Sequence, residues 1–369
     1  MSKKILYLFS DTGGGHRAST NALIAAVAKI NPKVQQEMID IFAETSKFLN
    51  FFARMYGPFI RRYPKVWGIL YYFINDQKNI ERLEKTASPL IVDELAERIK
   101  LIDPDIIVSV HPLANHVTIT SIRKAGKNIP LITVVTDPVT FHKTWVCNEV
   151  DALVVATKEA QNIALDYGMP KNKIKLLGLP INPRFLERQN KKVVRRKLGL
   201  KENLFTVLFM GGGEGGGDMD KIIKDVNRNL TGIQIIVICG RNQPLQTKLE
   251  KLKYNFPAKI FGFTFDIPII MDAADLVVTK AGPGSIAEAM AKGLPMILTS
   301  WLPGQEEGNV EYVRSNQIGY VEKNPAKIAG LIKEMMNPKK ISQITNKIKK
   351  IAKPHASLDI AKFILSYLK

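Results

Sequence analysis

Two glycine-rich loops constrain this chain more than any other feature, because each follows a strand-like run and opens a helix-like run. The first is SDTGGGHR at residues 10–17, directly after ILYLF at 5–9. The second is KAGPGSIAE at residues 280–288, directly after LVVT at 276–279. A glycine loop at a helix start offers bare backbone N–H groups and the positive end of the helix dipole to an anion. One such loop is compatible with a tight turn alone. Two, in separate halves of an α/β chain, point to two facing nucleotide-type domains with an anion in the cleft between them.

The rest of the chain keeps the same alternation. Apolar runs at residues 5–9, 106–110, 131–135 and 152–156 read as parallel strands of a first sheet. Those at 205–210, 233–239, 259–260, 276–279 and 296–299 read as a second. Strands separated by helical stretches imply doubly wound βαβ units. A chain of 369 residues exceeds what one core usually serves, so two domains are expected. The break falls at the proline-bearing stretch 179–184, followed by the charged run 191–197 and Gly199. The expected division is an N-terminal domain at 1–182, a linker at 183–199 and a C-terminal domain at 200–354.

Composition narrows the partners. The net charge of +19 draws the chain toward polyanions, whether nucleic acid, anionic lipid headgroups or a nucleotide. No RNA- or DNA-binding signature accompanies it, so nucleic acid is not an expected partner. Much of the charge lies at residues 333–353 and reads as a solvated helix face. Cys147 and Cys239 stand far apart, which fits a reduced compartment and a fold without disulfides. Residues 1–4 lead straight into a strand rather than a signal-peptide core. No apolar stretch approaches the roughly 20 residues a membrane span needs. The expectation is a protein of the cytosol or of the cytoplasmic face of the cell membrane, peripheral rather than spanning.

Residues 45–75 depart from a plain sheet domain. They contain no acidic residue, but carry Lys47, Arg54, Arg61, Arg62 and Lys65 among Phe48, Phe51, Phe52, Tyr56, Phe59, Tyr63, Trp67, Tyr71, Tyr72 and Phe73. Rings and cations without acids suit a bilayer interface, where aromatics sit at headgroup depth and cations meet anionic lipid. The competing reading is a buried helical hairpin with an aromatic core.

The loops also carry chemistry. His16 ends the first glycine run, and a histidine there can serve as a general base near neutral pH, or merely hydrogen-bond within the turn. Gly13, Gly15 and Ala18 also satisfy a dinucleotide fingerprint, with Asp40 as its ribose acid. In the second loop Ser285 and Glu288 have capping-box spacing. The functional alternative for Glu288 is a carboxylate holding two ribose hydroxyls. The segment WLPGQEEGN at 301–309 is rich in side chains that hydrogen-bond polyols. The run GGGEGGG at 211–217 can bring backbone amides to a phosphate, and Arg241 adds a cation for a departing diphosphate.

At these residues the chain resembles a known family. TGGGHRAS, TDPVTFHKTW and KAGPGSIAEAMAKGLPMILTSWLPGQEEGNVEYV are similar to the motifs of monogalactosyldiacylglycerol synthases and processive diacylglycerol glucosyltransferases. These belong with the MurG-type glycosyltransferases of GT-B fold. The resemblance implies two facing doubly wound Rossmann-like domains, an active site in the interdomain cleft, and a final helix at 355–369 returning to the N-terminal domain. It implies an inverting transfer of a hexose, galactose favoured, from a UDP-sugar to diacylglycerol, giving a β-glycosyl diacylglycerol. The donor is then a substrate, and no metal or other cofactor is expected. By the resemblance, His16 is the base, or else orients the acceptor and the phosphates, and Asp137 is a second catalytic or orienting carboxylate. Gly14, Gly15, Gly212, Gly213, Gly282, Gly284, Ser285 and Arg241 meet the donor's diphosphate region. The backbone at Phe263 and Thr264 meets the uracil, Glu288 the ribose, and Gln305, Glu306 and Asn309 the sugar. His142 and Trp145 line the acceptor side. Phe52, Arg61, Arg62, Tyr63 and Trp67 dock on an anionic phospholipid surface.

Alternatives remain open at this point. HKTWV at 142–146 is closer to the glucosyl enzymes, so UDP-glucose is a second donor. A polyprenyl-linked acceptor, with UDP-GlcNAc as donor as in MurG, is a third reading. From other classes stand a nicotinamide dehydrogenase, resting on the 13–18 fingerprint, and a membrane-binding protein without catalysis.

Overall fold

A computed structural model describes residues 3–11, 14–45, 50–51, 55, 59, 62–74, 89–213, 215–216 and 218–368. The chain folds as two compact units. The first holds Met1–Pro183, Leu302–Gln305 and His355–Lys369; the second holds Arg184–Trp301 and Glu306–Pro354.

Among the described residues of the first unit, β1 (Lys4–Phe9), α1 (Gly15–Ile30), β2 (Gln35–Asp40), α2 (Pro64–Ile74), α3 (Pro89–Ile102), β3 (Ile106–Ser109), α4 (Asn115–Lys124), β4 (Leu131–Val134), β5 (Ala152–Val155), α5 (Lys158–Asp166) and β6 (Ile174–Leu176) follow in order. The strands form one parallel sheet ordered β2-β1-β3-β4-β5-β6. Successive strand residues point to opposite faces, and both faces are buried. Leu6 and Leu8 join Ile91, Leu95 and Ile99 of α3 on one side. Ile5, Tyr7 and Phe9 join Leu23 and Val27 of α1 on the other. Ile360 and Ile364 lie in that second core, so the final helix closes the sheet that the chain began.

The second unit runs α6 (Lys191–Lys197), β7 (Phe205–Met210), α7 (Met219–Asn229), β8 (Ile233–Ile238), α8 (Gln243–Glu250), β9 (Ala258–Phe261), α9 (Ile267–Ala273), β10 (Leu276–Thr279), α10 (Pro283–Lys292), β11 (Met296–Leu298), α11 (Glu307–Ser315), β12 (Gly319–Val321), α12 (Pro325–Met335) and α13 (Pro338–Ile351). The helix at Ala356–Leu365, α14, returns to the first unit. The second sheet is also parallel, ordered β12-β11-β10-β7-β8-β9.

Two expectations from the sequence are corrected. The stretch 183–199 is not a free linker. Its helix α6 is fixed to the second unit by buried Arg195, which donates to the Ala273 carbonyl and pairs with Asp275. The strands β2, β6 and β12 were not expected, and β9 is longer than the 259–260 run suggests. All four are sheet edges. An edge strand has a partner on one side only and needs no continuous apolar run: β2 reads QQEMID and alternates in burial.

Candidate active site

In an open α/β sheet, ligands bind outside the carboxyl ends of the strands where the strand order reverses. In the first sheet β2 lies on one side of β1 and β3 on the other, so the reversal falls between β1 and β3. In the second sheet β8 lies on one side of β7 and β10 on the other, so it falls between β7 and β10. Both glycine loops stand at these two points.

The crevice of the first unit is lined by rings. Gly14 takes the left-handed conformation at φ 82°, which a glycine adopts freely, and α1 starts behind it. His16 follows, half-buried. Its Nδ1 meets the Thr136 hydroxyl at 3.0 Å. Its ring packs edge-on against His111 at 4.8 Å between centroids and lies 6.0 Å from Trp145. Burial pushes its pKa down from the usual 6.5 to about 4, outweighing a hydrogen bond with the Val110 backbone and the charge of Asp11. His16 is therefore neutral at physiological pH. His111 sits just past β3, buried, with its Nδ1 accepting from the Leu113 amide. Burial first, and His16 second, hold its pKa well below the usual histidine value.

The expected acceptor residues form one connected group with Asp137. Trp145 is fully buried and does not present a ring face; its indole N–H donates to the Asp137 carboxylate at 2.9 Å. His142 is buried, hydrogen-bonded through Nδ1 to the Thr144 hydroxyl at 2.8 Å, with its ring 5.5 Å from Tyr71. Tyr71 belongs to α2. Gly68 and Tyr71 of that helix lie against Pro303 and Gly304 of the same unit, while its other side is open. There Arg62, Tyr63, Lys65, Val66, Tyr72 and Phe73 are exposed, and Ile69 is 74% exposed. Trp67 is half-buried. The buried-hairpin reading therefore fails for this helix. Phe52 and Arg61 lie outside the described residues, as do Thr12, Gly13, Lys47, Phe48, Arg54 and Tyr56.

Asp40, the ribose acid of the dinucleotide reading, is committed elsewhere. Its carboxylate accepts from the amides of Asp11, Phe42 and Ala43 at 3.0–3.1 Å. It fixes the turns at the ends of β1 and β2.

The crevice of the second unit is lined by glycines and charges. The described residues of the 211–216 loop are hydrogen-bonded on both sides. The Gly216 amide donates to Gly211, the Arg241 amide to Gly213, and the Asn242 side chain to Gly215, at 2.9–3.1 Å. The Arg241 guanidinium lies 4.7 Å from the centroid of the Phe263 ring, so it stacks beside the expected uracil position. Thr264 turns the following loop by accepting from the Asp266 amide.

Across the reversal, α10 starts after Gly282 with Pro283 in its first turn and no side-chain cap. That start puts Ser285 inside the helix, so the capping-box reading of Ser285 and Glu288 fails. Glu288 is half-buried and has no hydrogen-bond or ion-pair partner among the described residues. Burial raises its carboxyl from 4.5 to about 8. Gly284 has open space where a side chain would stand. Buried Glu306 pairs with Lys280 at 3.1 Å, and the Asn309 amide donates to the Ala281 carbonyl at 3.0 Å. Gln305 groups with the first unit, unlike Glu306 and Asn309.

Comparison with known proteins follows the same two-part division. Residues 16–181 match the family model described as Monogalactosyldiacylglycerol (MGDG) synthase, and residues 206–361 match the Glycosyltransferase family 28 C-terminal domain. Monogalactosyldiacylglycerol synthase 1, chloroplastic, of Arabidopsis thaliana is 37% identical over 97% of this chain and 70% of its own length. The chain belongs to the monogalactosyldiacylglycerol synthase family. The chloroplastic enzyme of Spinacia oleracea is 38% identical over 91% of this chain and 67% of its own length. The fold extends beyond the family. MurG of Acinetobacter baumannii superposes with a TM-score of 0.63 at 13% identity, covering 99% of this chain and 100% of that one. Anabaena HepE, solved with UDP-glucose, gives 0.58 at 18%, covering 99% of each chain. The fold of this synthase-family chain is GT-B.

Two residues at the reversals have no role assigned by their sequence motifs: His111, and Lys280 at the head of KAGPGSIAE. The signal that finds them is position, since each stands just past a strand that borders the break in strand order. Among the described residues, no cluster of His, Cys, Asp and Glu could hold a metal ion, and no helix is long and apolar enough to cross a membrane.

Proposed function

We propose that this chain is an inverting hexosyltransferase that moves galactose from UDP-galactose to diacylglycerol and makes a β-galactosyl diacylglycerol. The observation that carries this reading is the 37% identity, over 97% of the chain, to a monogalactosyldiacylglycerol synthase. The chemistry of the two crevices supports it. Neutral His16 takes the proton of the diacylglycerol hydroxyl as its oxygen attacks C1 of the hexose. The bond from C1 to the β-phosphate oxygen breaks on the opposite side, and UDP leaves with the electron pair. For this step the ring exchanges one of its present hydrogen bonds for the acceptor hydroxyl, since such bonds often form only in the reacting complex. Thr136 orients the imidazole. Asp137, held by Trp145, and His142 shape the acceptor side.

In the second unit, Glu288 accepts from the ribose hydroxyls, and the backbone at Phe263 and Thr264 meets the uracil. The amides of Gly284 and Ser285 at the start of α10, with Gly212, Gly213, Gly282 and Arg241, meet the diphosphate. Glu306, Asn309 and Gln305 read the sugar. The open side of α2 docks peripherally on an anionic membrane, on its cytoplasmic face. Its exposed rings and cations, with no acid in residues 45–75, support that reading.

The test is incubation of purified protein with diacylglycerol in anionic vesicles and UDP-galactose or UDP-glucose, with the lipid product read by mass and linkage. A β-galactosyl diacylglycerol from UDP-galactose is the expected product. Turnover only with UDP-glucose moves the donor assignment. Turnover only with a polyprenyl-linked acceptor moves the acceptor assignment.

A further inference from the structure

We infer that Lys280 is the cation that neutralises the donor's diphosphate, held ready by Glu306 beside Gly212 and Gly282. This rests on the donor reading above and adds a residue to it. Lys280 follows β10 directly, and Thr279 is paired with Met210 of β7. That register places Lys280 beside the start of the 211–216 loop, at the break in strand order. A Cβ on Gly212 would stand 3.1 Å from the Lys280 Cε, and one on Gly282 would stand 3.3 Å from it. The lysine stem thus lies between both glycine positions, and a side chain at either would push it aside.

The ion pair itself is unequal. The Glu306 side chain is 5% exposed and the Lys280 side chain 36%. A buried carboxylate needs its counter-ion, whereas the ammonium keeps a route to solvent. An ammonium has three N–H donors. The carboxylate of Glu306 is the acceptor for Lys280 among the described residues, at 3.1 Å. Donors remain for phosphate oxygens arriving at the bare amides of Gly284 and Ser285. Without Lys280, the carboxylate of Glu306 would repel the same diphosphate. Arg241, stacked on Phe263, reaches the diphosphate from the nucleoside end, and Lys280 from the other side.

Calorimetric titration of the full chain with UDP and with uridine tests the assignment. Lys280→Met is expected to weaken UDP binding by roughly 10- to 100-fold, the range for a hydrogen bond to a charged group, and to leave uridine affinity unchanged. An unchanged preference for UDP over uridine in Lys280→Met overturns the assignment and leaves the donor reading standing. If the unaltered protein binds neither ligand, the donor reading falls and the assignment with it. Should the single variant fail to fold, the neutral pair Lys280→Met with Glu306→Gln carries the same test. A preference for UDP lowered in that pair supports the assignment, and one unchanged overturns it.

Discussion

Between β1 and β3 the loops carry two imidazoles and a buried indole; between β7 and β10 they carry glycines, a lysine and two carboxylates. The two sheets differ in strand order, two strands lying on the β1 side of the first break and three on the β7 side of the second, but each is parallel and reverses once. Backbone topology makes a crevice in both, and side chains alone decide what each can do. Burial acts in opposite directions on the two ionisable groups that matter. It keeps His16 uncharged by lowering its pKa to about 4, and keeps Glu288 uncharged by raising its pKa to about 8. On the proposed reading, the first crevice offers an uncharged imidazole to the acceptor hydroxyl and the second a carboxyl that gives up its proton when ribose hydroxyls bind.

The sharpest way to break this division is His16→Ala. Loss of a general base is expected to lower transfer by about 100- to 10,000-fold. Calorimetric affinity for UDP-galactose should stay within about twofold, the change expected for a site outside the donor crevice. Equal loss of both would show that the two crevices do not divide the labour. The transfer rate of the unaltered protein should also fall on acidification, with its lower limb set below the usual histidine range.

Glu288→Gln probes the other side. Donor affinity should drop by about 10- to 100-fold, from weakened hydroxyl–carboxylate bonds. Ribose hydroxyls donating to the carboxylate favour its ionised form. Binding of UDP-galactose at pH 7 should therefore release a proton, and affinity should rise between pH 7 and about 8. Calorimetry in buffers of different ionisation enthalpy reads that proton, and its absence would remove the carboxylate from the ribose. The sign for stability is opposite. A carboxyl whose folded pKa is raised contributes stability below about 4.5 that is lost as pH rises through about 8. Glu288→Gln should thus melt higher than the unaltered protein at pH 8.5, and equally at pH 4.

A double change on the open side of α2, Ile69→Asp with Phe73→Asp, is expected to cut sedimentation with anionic vesicles by tenfold or more, because each buried apolar side chain is worth about 1.5–3 kcal/mol. Binding of UDP-galactose in solution should not change. Vesicle binding at the original level would remove this helix from membrane contact. The smallest effect is expected from Asp40→Ala. It leaves three amides without their acceptor and should cost about 1–3 kcal/mol in thermal or urea unfolding. The Asp11 amide belongs to the His16 loop, so transfer should fall more than donor binding. Binding of NAD to the unaltered chain, lost in this variant, would revive the dinucleotide reading.

The residues themselves determined much of this. Continuous apolar runs mark a strand buried on both faces, so the central strands β1, β3, β4, β5, β7, β8, β10 and β11 were legible with their parallel arrangement. The glycine loops were legible because a bare backbone next to a helix start has few other uses. The edges were not, since a strand such as β2 or β12 needs only half the apolar surface. Nor was the tether of α6 to the second unit, because the pairing of Arg195 with Asp275 spans 80 residues of chain. Spacing made Ser285 and Glu288 a candidate cap; Pro283, by starting α10 earlier, left Glu288 a carboxyl without a partner among the described residues. Nor was the bond from the Trp145 indole to Asp137 legible, because no spacing signals it. What only the tertiary structure decided is which side chains share a crevice. His111 joins His16, and Lys280 joins Glu306 and Gly212, because strands distant in sequence lie side by side, and hydrogen-bonded register, not local sequence, sets who meets at their ends.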